Sequence, residues 1–273
     1  MTRIERSRER EIERASQEVL ECHDQRTLPI DPRAIAEAED IVLADGTYDD
    51  CFDGRIAYSS KHRRFIMFYT RERLPHRPHA RVRFSIAHEL GHYFLNDHRA
   101  LLLGGDVHSS TAGFSSPKLR EREADFFAAS LLMPREPFLQ VVRSRPGSFA
   151  TLVDLETMAE KHFQTSLIST AIRYAQLSPE ACCIVQSKAG QVLFAYPSED
   201  FNALGLGWIA PVSAVPRPTI TFRAFQERPA TGRMDGEVSS RAWFDRGDDV
   251  ALWEETRLLG ASDVAITLLA PPP

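Results

Sequence analysis

Residues Phe84–His98, FSIAHELGHYFLNDH, constrain this chain more than any other stretch. Phe84, Ile86, Ala87, Leu90, Phe94 and Leu95 give a helix that is apolar over most of its surface and therefore largely buried. His88, Glu89 and His92 are then polar groups in apolar company, and such groups need partners. The three residues fit H-E-x-x-H. Residues four apart share one helix face, so His88 and His92 can aim two imidazoles at one ion. Glu89 sits one step round the helix, poorly placed as a third ligand but able to reach a water on the metal. Zinc lowers the pKa of such a water to ~7, and a carboxylate beside it can take the proton and pass it to a leaving amine. The bland alternative is a surface helix with two satisfied histidines, and the apolar surroundings argue against it. Gly91 stands mid-helix at a cost of ~1 kcal/mol relative to alanine, which suggests that another element passes close behind the ligands.

The third ligand is less direct. His98 fits the longer pattern H-E-x-x-H-x-x-G-x-x-H, but Leu95 occupies the glycine position. Leucine disfavours the positive φ that would return the chain to the metal. Asn96 is then expected to end the helix, with His98 as an ordinary loop histidine. The competing source is LREREADFFAASLLM, residues Leu119 to Met133, a helical pattern limited by Pro134. Glu123 is followed by Phe126, Phe127 and Leu131 and so extends the apolar stripe. A carboxylate there is costly without a partner, and a metal supplies one. Glu121 and Asp125 are i,i+4 neighbours, read as rim residues that orient a ligand histidine through its other ring nitrogen. A fully solvated charged face is the remaining reading.

Upstream, Arg3 to Cys22 has helical apolar spacing, and Asp31 can cap a helix with Pro32 in its first turn. GRIAYSS and RRFIMFYT read as strands joined by a turn at SSKH. Two short helical patterns, FATLVDLETMAEKHF and SLISTAIRYAQ, follow from Ser148. After Ala181 the texture becomes β-type: CCIVQSK, QVLFAYP, PTITFRAF, SSRAWF, LWEETRL and VAITLLA.

RVRFSIAHELGHYFLNDH followed by EREADFFAASLLMP resembles the ImmA/IrrE family of zinc-dependent endopeptidases. The resemblance covers about Ile12 to Tyr174 and rests on the two motifs together. It implies a gluzincin-like site with Zn2+ held by His88, His92 and Glu123, and with Glu89 as the catalytic glutamate. It implies a protein substrate, a helix-turn-helix transcriptional repressor whose cleavage derepresses stress-response or mobile-element genes. The expected architecture is α+β: a mostly helical zincin-like peptidase domain with a small sheet over 1–147, a helix-turn-helix-like pair over 148–178, and a β-rich, sensor-like domain over 179–273.

The rival reading is a non-catalytic regulator that binds DNA or protein and keeps zinc as a structural clamp. An intact Glu89 speaks against it, since a structural site has no use for that carboxylate. A DNA-reading second helix needs cations. Phe149 to Gln176 offers Lys161 and Arg173 against Asp154, Glu156 and Glu160, so a structural or repressor-docking role is favoured over direct DNA binding. Lys61 to Arg83 is basic, with Glu72 its only acid. Substrate docking, nucleic-acid contact and a solvated loop all fit it. The net charge of −5 argues against a global attraction to nucleic acid. No apolar run reaches membrane-spanning length, no signal peptide is seen, and a cytoplasmic protein is expected. Cys51 is a weak candidate for capping zinc. Cys182 and Cys183 read as packing residues. Tyr93 and His108 are candidates for stabilising a transition state, and the sequence does not choose between them.

Overall fold

The computed structural model describes residues 4–46, 53–70, 79–105, 119–145, 147, 149–260 and 263–272. The chain divides into two compact units, residues 1–137 with 159–166 and residues 138–158 with 167–273. The fold is α+β, as the sequence implies.

In the first unit, helix α1 (Arg6–Cys22) buries Ile12, Ser16, Val19 and Leu20, one stripe at helical spacing. Helix α2 (Pro32–Ala38) starts where expected: the Asp31 carboxylate accepts from the Arg33 amide at 3.0 Å. Strands β1 (Val42–Gly46), β2 (Gly54–Ser59) and β3 (Arg64–Thr70) form a sheet of order β1-β3-β2. Strand β2 runs antiparallel to β3, and β1 runs parallel to it. Strand β1 escapes sequence analysis because five residues, VLADG, carry no alternation. On β3, Phe65, Met67 and Tyr69 alternate inward with strand period.

Helix α3 (His79–Phe94) is buried continuously from Arg83 to Tyr93. It packs against β2, β3 and helix α5 (Leu119–Leu132), which in turn packs on α1. Between them, helix α4 (Asn96–Leu103) begins immediately after an extended Leu95 at φ −75° and ψ 115°. That break turns the chain without a left-handed residue. Helix α6 (Arg135–Ser144) follows Pro134 and crosses from the first unit's residues into the second's.

The second unit holds helix α7 (Leu152–Met158) and helix α8 (Leu167–Leu177), with one π-helical turn, Ala159–Phe163, between them in sequence. That turn belongs to the first unit, whereas both helices group with the C-terminal sheet. The sheet comprises β4 (Cys183–Lys188), β5 (Gln191–Pro197), β6 (Arg233–Ser239), β7 (Ala251–Leu259) and β8 (Val264–Ala270). It is antiparallel, in the order β5-β4-β8-β7-β6. Ala189 and Gly190, both at positive φ, close the β4–β5 hairpin. Helices α9 (Glu199–Ala203) and α10 (Ile220–Glu227) lie between β5 and β6 in sequence, and α10 packs on β6 and β7.

Two expected strands are helical. PTITFRAF contains α10, because the Thr219 side chain caps the Phe222 amide and Ile220, Ala224 and Phe225 share a buried face. SSRAWF is a 3-10 turn capped by Ser239. The polar RMDGEVS, passed over in the sequence, is strand β6.

Candidate active site

Helix α3 places His88 and His92 one turn apart, with their Nε2 atoms 3.2 Å from each other. A Cβ on Gly91 would stand 3.1 Å from the Ala124 Cα and 3.2 Å from the Phe127 Cβ. Glycine therefore lets α5 pass at backbone distance, and α5 brings acids to the histidines. Asp125 Oδ1 lies 2.9 Å from His88 Nδ1. Glu121 Oε2 is 3.5 Å from His88 Nε2, and Oε1 is 3.8 Å from His92 Nε2. His88, His92 and Glu121 are all buried and each offers a ligating atom within 4.8 Å of the other two.

This geometry differs from the expected ligand set. Glu123 does not join the two motif histidines. Its Oε2 is 3.0 Å from His98 Nε2 and 2.8 Å from Arg8 Nη2 on α1. The reason is helical phase: at 100° per residue, Glu121 and Asp125 share a face, and Glu123 is turned about 200° from Glu121. Glu123 is nonetheless buried, at 5% exposure. Its costly position in the apolar stripe is real, but the partners are an imidazole and a guanidinium. The i,i+4 pairing of Glu121 with Asp125 was the signal that could have identified the face turned to His88.

His98 also departs from expectation. It is not a loop residue but a buried member of α4, its Nδ1 3.1 Å from His92 Nδ1. Burial draws its pKa below the ordinary imidazole value, against the pull of Asp97 and Glu123.

The donor set suits a divalent ion. Two imidazoles and a carboxylate around zinc at about 2.1 Å in tetrahedral array would lie roughly 3.4 Å apart. The two imidazole nitrogens are 3.2 Å apart, and the two Glu121 oxygens lie 3.5 Å from His88 Nε2 and 3.8 Å from His92 Nε2, separations of that order. Each histidine has its Nδ1 engaged elsewhere, leaving Nε2 for the centre. The field also favours positive charge. Burial opposes protonation of His88, yet hydrogen bonds to Asp125 and Glu121 and the charges of Asp125 and Glu89 outweigh it, pushing the pKa up to about 10.

Glu89 is fully buried and lies against strand β2: a Cβ on Gly54 would come within 2.9 Å of its Oε1. Asp53, the residue before Gly54, is held by Arg81 Nε at 3.2 Å, which ties β2 to the first turn of α3. Arg83 is buried and donates to the carbonyls of Ile30, Phe163 and Gln164. Arg83 is thus spent inside the fold, Arg81 pairs with Asp53 while staying half exposed, and residues 71–78 lie outside those described. Tyr93 donates to Glu39 at 2.8 Å and accepts from Arg99 at 3.2 Å. His108 and Cys51 lie outside the described residues. Cys182 and Cys183 are both buried, and burial pushes the Cys182 thiol up to about 12 and Cys183 further, as packing residues require. Arg173, the only cation on α8, is fully buried.

Residues 73–173 match the Peptidase_M78 family, described as the IrrE N-terminal-like domain. The match takes in both motifs, on α3 and α5, and is a likeness over that stretch to ImmA/IrrE-type metallopeptidases or regulators. A solved structure, a Mycobacterium tuberculosis transcriptional regulator, superposes with TM-score 0.62 at 13% identity, covering 95% of this chain and 87% of that one. At that identity the likeness is one of fold. No curated protein matches the sequence. No described helix is long and apolar enough to cross a membrane.

Proposed function

We propose that this chain is a zinc-dependent endopeptidase in which His88, His92 and Glu121 hold the ion and Glu89 is the general base. The observation that carries the reading is a fully buried Glu89 on the same helix as two buried histidines that share one centre with Glu121. A clamp that only held the fold together would gain nothing from burying a further carboxylate there.

The chemistry a zinc ion supplies at such a centre, when bound, is Lewis acidity toward water and toward the scissile carbonyl. The chain's residues do the rest. Asp125 fixes His88 by accepting from its Nδ1–H. Glu89 takes a proton from the attacking water and delivers it to the leaving amine. The apolar packing of α3 and α5 keeps bulk water away from these charges and strengthens their interactions.

The substrate proposed is a helix-turn-helix transcriptional repressor, cleaved to release stress-response or mobile-element genes. The support is the IrrE-like match. A sensor-like role for the C-terminal sheet is an analogy, and the protein is read as cytoplasmic. The second reading, a non-catalytic regulator with structural zinc, draws on the description of the solved neighbour as a transcriptional regulator. A buried Arg173 weighs against DNA reading by α8, which has no other cation to offer phosphate.

Incubating zinc-loaded protein with helix-turn-helix repressors tests the proposal. A single cut by the native chain, absent in Glu89→Gln at equal zinc content, is expected. Cleavage or transcriptional control that Glu89→Gln leaves unchanged overturns it in favour of the second reading.

A further inference from the structure

Outside the three-ligand centre, the described residues hold a second cluster of ligating groups: Asp97, His98 and Glu123. Its cation is built in. Arg8 of α1 reaches Glu123 Oε2 and both Asp97 carboxylate oxygens, each at 2.8 Å. The cluster is also joined to the first one through the 3.1 Å contact between His92 Nδ1 and His98 Nδ1.

Hydrogen-bond accounting fixes the direction of this chain. An ionised carboxylate only accepts, so the 3.0 Å contact between Glu123 and His98 requires a proton on His98 Nε2. A neutral His98 then presents a lone pair at Nδ1, and His92 must donate its Nδ1–H to it. The proton of His92 is thereby placed on Nδ1, and the lone pair on Nε2 faces His88 and Glu121. The two histidines reach the same state by different routes. Asp125 acts on His88 directly at 2.9 Å, whereas His92 is held through an intervening imidazole.

We propose that His98, Glu123 and Arg8 form a positioning relay that fixes the tautomer and ring plane of His92, so that helix α1 helps to build the metal centre. The proposal rests on the reading of His88, His92 and Glu121 as ligands. It also carries the centre beyond residues 73–173, since Arg8 lies outside the matched domain. His98 and Glu123 are positioning residues, acting on the ion only through His92. Partners of a ligand histidine that lie one bond further out affect metal affinity by about 10–100-fold.

The test is Zn2+ affinity of the full chain, measured by competition with a chromophoric chelator, together with the visible absorption of the Co2+-substituted protein. His98→Ala and Glu123→Gln should weaken zinc by about 10–100-fold. Arg8→Ala should weaken it by about 10-fold, at the lower end of that range because it acts two residues from His92. All three should shift the Co2+ bands, and Arg8→Lys should recover part of the loss. Val19→Ala, a core change on α1 about three turns from Arg8, controls for stability and should leave affinity and spectrum unchanged. Arg8 keeps 20% side-chain exposure at the outer end of the relay, and urea melts of each metal-free variant separate lost folding from lost affinity. If zinc binding is lost in His88→Ala and Glu121→Gln but Arg8→Ala and Glu123→Gln bind as the native chain does, the relay is wrong and the ligand set stands. If the native chain binds no zinc, the ligand set fails and the relay with it.

Discussion

Glu121 in the first unit and Glu254 in the second are both buried acids, and the chain treats them differently. Glu254, at 0% exposure, has each oxygen met by donors of its own unit. Its Oε1 accepts from the Thr221 amide and hydroxyl, both at 2.7 Å, and its Oε2 from Trp243 Nε1 at 3.0 Å. The hydroxyls of Thr256 and Thr267 continue the network from Thr221 at 2.9 and 2.6 Å. Glu121 instead stands beside the two motif imidazoles, 3.5 Å from His88 Nε2 and 3.8 Å from His92 Nε2. The lesson is that a buried carboxylate alone says little. What separates architecture from chemistry is whether its neighbours are only donors or include further ligand atoms within reach of one ion.

That contrast can be broken at either end. The largest effect is expected at the metal centre: Glu121→Gln should weaken zinc by more than about 100-fold, exceeding what residues outside the ligand set cause, with little change in the stability of the metal-free fold. Calorimetric zinc titration checks it, and native affinity would erase the distinction drawn here. Glu254→Ala should do the reverse. It strands the Thr221 amide and the Trp243 indole, at a cost of about 2–3 kcal/mol in a urea melt, and leaves zinc affinity unaltered. A zinc defect in that variant would mean the second acid is not merely architectural.

Gly91→Ala sharpens the comparison by moving α5 instead of removing a group. The added methyl meets the Ala124 Cα at 3.1 Å. Stability should fall by about 1–2 kcal/mol, and zinc affinity should fall with it, because α5 carries Glu121. Loss of stability alone would show that α5 relaxes without disturbing the centre.

The remaining effect needs no substitution and is on pH. The pKa of His88 is raised to about 10, above the ordinary imidazole value of about 6.5. Its contribution to the metal-free fold is therefore complete below about pH 6.5 and disappears as pH rises toward about 10. A metal must displace the same proton, so zinc affinity should rise up to about tenfold per pH unit through neutrality. Titrations at pH 6.5, 7.5 and 8.5, taken as roughly evenly spaced points across that window, check the slope. A flat response would indicate that the centre is not protonated before binding.

The meeting of His88 and His92 on one buried helix face was legible in the sequence because four-residue spacing carried it, and the cost of Gly91 pointed to the close passage of α5. Glu121 and not Glu123 lies beside the motif histidines, which the sequence did not tell because apolar flanks report burial and say nothing of which neighbour waits there. Glu123 is buried as its flanks suggest, but Arg8, distant in sequence, is its partner. His98 was legible only as a residue near a helix end, since the extended Leu95 that folds α4 back is a backbone choice open to almost any residue. In the second unit, α10 was misread for a related reason. ITF has strand propensity, and the Thr219 cap with burial against β6 and β7 overrides it.

The central claim is the identity of the ligands, and anomalous diffraction at the zinc edge from crystals of the zinc-loaded chain tests it most directly. The account requires one peak bonded to His88 Nε2, His92 Nε2 and a Glu121 oxygen, with Glu123 still paired to His98 and Arg8. A peak bonded to Glu123 or His98 would contradict it.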